Sequence, residues 1–197
     1  MKTNKAEFII SSLQESSKVK LEILDKCSDD ILKSLEIAVE SIENGHKILF
    51  CGNGGSAADA QHLSTELVIR LSHDIKRPAI PALSLTTDTS LLTAGGNDIG
   101  FDNVFARSVE GLGNKGDVLI AISTSGNSEN VLRAVNKAKE KGIKSIGFLG
   151  GNGGKLKNLV DVSIIIPSTN VQRIQEGHIT IGHIICELIE RELYEQD

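Results

Sequence analysis

The chain is poor in the residues that would signal several common architectures. It has three cysteines, Cys27, Cys51 and Cys186, in 197 residues. They are odd in number and far apart, which fits reduced thiols in the cytoplasm better than a disulfide framework or a thiolate zinc cluster. No apolar run approaches the roughly 18 residues a membrane span needs, and MKTNKAEFII runs into charge without a secretory apolar segment. The serine-rich loop STSGNS (123–128) carries no GxGxxG dinucleotide fingerprint, and no GxxxxGK[ST] phosphate loop occurs. No stretch rich in proline, glycine or serine divides the chain, so residues 1–197 are expected to form one domain, with a helical extension over 1–45. The net charge of −5 excludes nonspecific attraction to nucleic acid or to an anionic membrane.

What is present is an alternation of short apolar runs and longer amphipathic segments. KILFC (47–51), PALSL (81–85), DVLIAIS (117–123), SIGFLG (145–150) and VSIIIP (162–167) read as strands. Helices are expected over 56–71, in the segments TDTSLLTAGGN and FDNVFARSVEGLG, over SENVLRAVNKAKEKG, and along NVQRIQEGHITIGHIICELIERELYEQ. The strands are nearly continuous in apolar residues, as parallel strands covered on both faces are. The expected fold is a three-layer α/β sandwich around five parallel strands. Two helices are expected ahead of it over 5–43, a hairpin in which Ser28 and Asp29 cap the second helix and Gly45 stops it.

Parallel sheets bind ligands at the carboxyl ends of their strands, where helix N-termini point. Three loops there have suitable composition. In STSGNS, the hydroxyls of Ser123, Thr124, Ser125 and Ser128 surround Gly126 where a helix begins, which suits a phosphate; an ordinary serine cap would need only one of them. The motif GNGG occurs twice, in CGNGGSAAD and in FLGGNGGKLKN. After the first copy comes a helix carrying His62 and Glu66 on one face, four residues apart. Such a pair is also found as an ordinary surface contact. The second copy leads only to Lys155 and Lys157 and is expected to be a permissive turn. On the last helix, Gln175, Glu176, His178 and His183 lie close in sequence. A histidine inside ITIGHIICELI can be simply a hydrogen-bonded core residue, or it can complete a nitrogen/oxygen metal site. Gln175 and His183 are separated by about 12 Å of helix rise and converge only if both lean toward a ligand between them.

The stretches CGNGGSAADAQHLSTEL, ALSLTTDTSLLTAGGND, ISTSGNSENVL and QRIQEGHITIGHIICELIE together resemble the phosphoheptose (sedoheptulose 7-phosphate) isomerases, a branch of the sugar isomerase (SIS) domain superfamily. The resemblance runs over essentially the whole chain. It implies that His62, Glu66, Gln175 and His183 hold one zinc ion per subunit and that Glu66 and His183 are the acid/base pair. It also implies that Asn53, Gly54, Gly55, Glu66, Asn97, Asp98 and Gln175 contact the sugar, and that Ser123, Thr124, Ser125 and Ser128 bind its phosphate. The implied reaction converts sedoheptulose 7-phosphate to D-glycero-D-manno-heptose 7-phosphate through an enediol, the opening step toward activated heptose for lipopolysaccharide or a related glycan. The resemblance further implies a cytoplasmic homotetramer that binds neither nucleic acid nor membrane. The rival within the superfamily is a regulatory module that binds the replication initiator protein or senses sugar phosphates.

Overall fold

The computed structural model describes residues 4–195. The chain opens with one long helix, α1 (Lys5–Glu43), followed by β1 (Ile48–Gly52), α2 (Gly55–Val68), β2 (Ala82–Ser84) and α3 (Thr89–Asp98). A short 3-10 turn leads into α4 (Val104–Leu112). Then come β3 (Val118–Ser123), α5 (Glu129–Glu140), β4 (Lys144–Gly150), a second 3-10 turn, β5 (Val162–Ile166) and α6 (Val171–Tyr194). The five strands are all parallel, in the order β2-β1-β3-β4-β5.

Side-chain alternation along the strands feeds two apolar layers. Ile48 and Phe50 of β1, Val118, Ile120 and Ile122 of β3 and Ile146 and Phe148 of β4 face α1, α2 and α6. Leu49, Cys51, Leu119, Ala121 and Leu149 face α4 and α5. Both faces are covered, so β1 and β3 are nearly continuous in apolar residues, Ser123 at the end of β3 excepted, instead of alternating with polar ones, as their sequences indicated.

The leading segment departs from the expected hairpin. α1 is one uninterrupted helix through Ser28 and Asp29. Its buried stripe Val19, Ile23, Cys27, Ile31 and Leu35 repeats every four residues straight across the expected break, so packing on the sheet favours continuity. Ser28 is not a cap; its hydroxyl donates to the Leu24 carbonyl one turn back at 2.5 Å, a bond that a serine inside a helix can make. The expected stop is present, with Asn44 as the final cap and Gly45 at φ 78°.

β1 and β3 are neighbours from which the chain departs in opposite directions, toward β2 and toward β4. Their following helices also pack on opposite faces, α2 with one apolar layer and α5 with the other. That switch point lies at the carboxyl edge of the sheet between the starts of α2 and α5, where open α/β sheets have their ligand crevice.

Candidate active site

Three of the expected residues converge. His62 and Glu66 lie one turn apart on α2, and His183 reaches them from α6. The Nε2 atoms of His62 and His183 are 2.7 Å apart, and His62 Nε2 is 3.2 Å from Glu66 Oε1. One donor atom from each residue falls within 4.8 Å of the others, a group that could hold a metal ion. At most one of the two facing nitrogens can carry the shared proton, so the pair presents at least one imidazole lone pair to the same point. Two imidazole nitrogens and a carboxylate oxygen form a donor set that suits zinc and other borderline cations. This approach of α2 to α6 depends on Gly182, the residue before His183. A Cβ there would come within 2.5 Å of Leu63, the residue after His62.

Gln175 lies elsewhere on α6. Its side-chain amide packs over Gly55, the first residue of α2, two turns ahead of His62. It therefore faces the sugar-loop end of the crevice. Two residues grouped with it in sequence are not in the site. His178 is fully buried, with Nε2 3.0 Å from the Leu149 carbonyl, and burial pushes its pKa down to about 4, against the raising effect of that bond. Glu176 pairs with Arg173 at 3.0 Å. His178 is thus the hydrogen-bonded core histidine, and the half-buried His183 the one that faces a partner imidazole.

The two loops at the switch point are built alike. Asn4, Asp88 and Asn170 cap α1, α3 and α6 through their side chains, but α2 and α5 start without a side-chain cap. Ser128, at the cap position of α5, instead places its hydroxyl 3.2 Å from that of Ser123. The first-turn amides of α5 are accordingly left without a side-chain acceptor, and these two hydroxyls lie beside them, an arrangement that suits an anion. Ser125 Oγ accepts from Asn127 N at 3.2 Å, which tightens the loop, and Thr124, between Ser123 and Ser125 in sequence, is half-buried.

The second GNGG does more than the expected turn. Leu156 N donates to the Gly126 carbonyl at 3.0 Å and Lys155 N to Asn127 Oδ1 at 3.1 Å. Residues 151–155 are therefore the backing of the STSGNS loop. The contact requires glycine at 126, where φ is +64° and a Cβ would overlap the Gly153 carbonyl.

Asn53 is engaged within the protein: its amide exchanges two hydrogen bonds, of 2.9 and 2.8 Å, with that of Asn130 in the first turn of α5. One lone pair and one N–H of Asn53 remain for a ligand, together with the backbone of Gly54 and Gly55. Asn97 and Asp98 end α3, exposed and bonded to each other at 2.7 Å, with no side-chain bond to the cluster among the described residues.

Sequence reading missed Asn130, and also Asp59, whose Oδ2 is buried without a partner one turn before His62 on α2. Burial raises the Asp59 pKa to about 6, opposed by the charge of His62. It missed as well Arg77, which donates to the backbone carbonyl of Glu66 at 2.8 Å while paired with the buried Glu190 of α6. The sole available signal was a polar residue in an apolar setting, as Glu190 is within IICELIE.

The fold is a three-layer α/β domain around a five-stranded parallel sheet, and residues 13–150 match the SIS domain family model. The chain is 53% identical over 184 residues to a phosphoheptose isomerase of Nitratiruptor sp., covering 93% of this chain and 97% of that protein. It is 48% identical over 193 residues to one from Pelodictyon phaeoclathratiforme, with 98% and 92% coverage. The structure of a phosphoheptose isomerase from Francisella tularensis superposes with a TM-score of 0.92 at 38% identity, over 96% of this chain and all of that one. The chain belongs to the phosphoheptose isomerase branch of the SIS domain family.

Proposed function

We propose that this chain is a cytoplasmic aldose–ketose isomerase acting on sedoheptulose 7-phosphate to give D-glycero-D-manno-heptose 7-phosphate, as part of activated-heptose and lipopolysaccharide biosynthesis. The observation that carries the chemistry is the convergence of His62, Glu66 and His183 on one point between α2 and α6. Relatives of near-equal length bearing that activity in their names disfavour the regulatory alternative.

The phosphate is remote from the reacting carbons. Held by Ser123, Thr124, Ser125, Ser128 and the first amides of α5, it anchors the substrate and lowers the entropic cost of aligning the other end. Asn53, Gly54, Gly55, Asn97, Asp98 and Gln175 would contact the sugar hydroxyls. Glu66 takes the proton from C1 of the ketose and returns it to C2 on the same face of the planar enediol, so that no net proton or electron is lost. One Glu66 oxygen faces His62, and the second has no protein partner among the described residues, leaving it to act as base. His183, through the ring nitrogen not turned toward His62, would serve the oxygens, donating to one as it becomes hydroxyl and accepting from the other as it becomes carbonyl. His62, Glu66 and His183 would hold a zinc ion, and their two imidazoles and carboxylate fit it, while Gln175, the fourth ligand the family resemblance implies, rests over Gly55; bound there, zinc would stabilise negative charge on the substrate oxygens.

The test is turnover and solvent-deuterium exchange at the substrate carbon by the purified protein and by Glu66→Gln. Wild type should isomerise and exchange. The variant should lose on the order of 10²–10⁴-fold in turnover and its exchange, while still binding substrate. Persistent exchange in the variant would place the carbon base elsewhere.

A further inference from the structure

Asn130 is 3% exposed and lies in the first turn of the helix that follows the phosphate loop. Its partner Asn53 opens the loop ahead of α2, the helix that bears His62 and Glu66. The two amides form a closed pair, each donating once and accepting once, across 77 residues of sequence. The backbone ladder between β1 and β3 pairs Gly52 with Ile122, and beyond it the two chains diverge to opposite faces of the sheet. The amide pair thus ties the loops together past the point where the sheet ceases to do so. On one side lies the phosphate loop, on the other the helix carrying two of the three clustered residues.

A buried amide needs a partner whatever its role, and mutual satisfaction would by itself explain the pair. Its place in the crevice adds a consequence. In a 7-phosphate the reacting C1–C2 end and the phosphate are at opposite ends of the sugar, so reactivity depends on the span between the two loops. Resting on the function proposed above, we propose that Asn130 is a positioning residue. Through Asn53 it fixes the distance between the STSGNS loop and the His62–Glu66–His183 cluster to that which a seven-carbon ketose phosphate spans.

The test compares wild type and Asn130→Ala by kcat and KM for sedoheptulose 7-phosphate and by the inhibition constant of inorganic phosphate. Inorganic phosphate samples the phosphate loop alone. With the span released, kcat should fall about ten- to a hundred-fold, the cost of misplacing a reacting group by about 1 Å. The phosphate inhibition constant should stay within about two-fold of wild type, because no phosphate contact is removed. Should Asn130→Ala fail to fold, Asn130→Ser, whose hydroxyl can satisfy one group of Asn53, carries the same reading. An unchanged kcat would overturn the proposal. So would a phosphate constant rising in proportion to the loss of kcat/KM, which would make Asn130 a support of the phosphate loop only. Wild-type protein inactive on sedoheptulose 7-phosphate would instead defeat the functional reading, a result separable from either.

Discussion

His178 and His183 are both on α6, but five residues separate opposite electrostatic circumstances. His183 meets another imidazole at the crevice, whereas His178 is sealed beneath Leu149 and held neutral by burial. Its pKa in the folded protein, about 4, lies below the ordinary value of 6.5, so unfolding takes up a proton in that interval. Stability from this group is present above pH 6.5 and is lost as pH falls toward 4, by at most about 3 kcal/mol. Asp59 has the opposite sign: with its pKa raised to about 6, its contribution is largest in acid and is lost as pH rises through that value. Denaturant melts of wild type and His178→Gln between pH 4 and 7 separate the two, since Asp59 is common to both. The variant, whose amide can still donate to Leu149, should show the shallower acid decline. Parallel curves would mean that His178 is already accommodated when charged.

At the scale of elements, the proposed function rests on helix starts and on what backs them. α2 and α5 begin at the switch point without side-chain caps, and the second glycine-rich loop is a wedge behind the first turn of α5. Gly126→Ala tests that wedge. A side chain at positive φ costs roughly 1–2 kcal/mol, and the new methyl would also push against Gly153. The melting temperature should drop by several degrees, and inorganic phosphate should bind at least about ten-fold more weakly, because the displaced turn would supply the proposed charge-assisted bonds, worth about 1.5–3 kcal/mol each. Unaltered phosphate binding would show that the wedge and the anion loop are independent.

At the scale of the whole molecule, α1 has one face more than the core uses. Leu13, Leu21 and Leu24 are 65–67% exposed on one side of the helix whose other stripe packs on the sheet. Such a row of apolar side chains fits burial between subunits, and the expected assembly is a homotetramer. Multi-angle light scattering at micromolar concentration should give about four chain masses for wild type and smaller species for Leu13→Asp combined with Leu24→Asp. A wild-type monomer with full activity would reject this. Among the described residues no helix is long and apolar enough to cross a membrane.

The residue pattern by itself determined the five parallel strands, because two-sided burial forces near-continuous apolar runs, and it determined the glycine and serine loops at their carboxyl ends, because turn and anion chemistry are local. It also marked His62 and Glu66 as sharing a helix face, since that spacing follows from 3.6 residues per turn. Only the tertiary structure decided what depends on partners distant in sequence. Packing on the sheet carried α1 through Ser28, whose local chemistry suits a cap as well as a helix interior. The approach of α6 to α2 at Gly182 chose His183 over His178 as the companion of His62. The contacts of Gly126 turned the second GNGG from a turn into a support, and Asn130 found Asn53 from the neighbouring strand's loop. In each case the local sequence permits more than one outcome, and the burial of surface between elements selects among them.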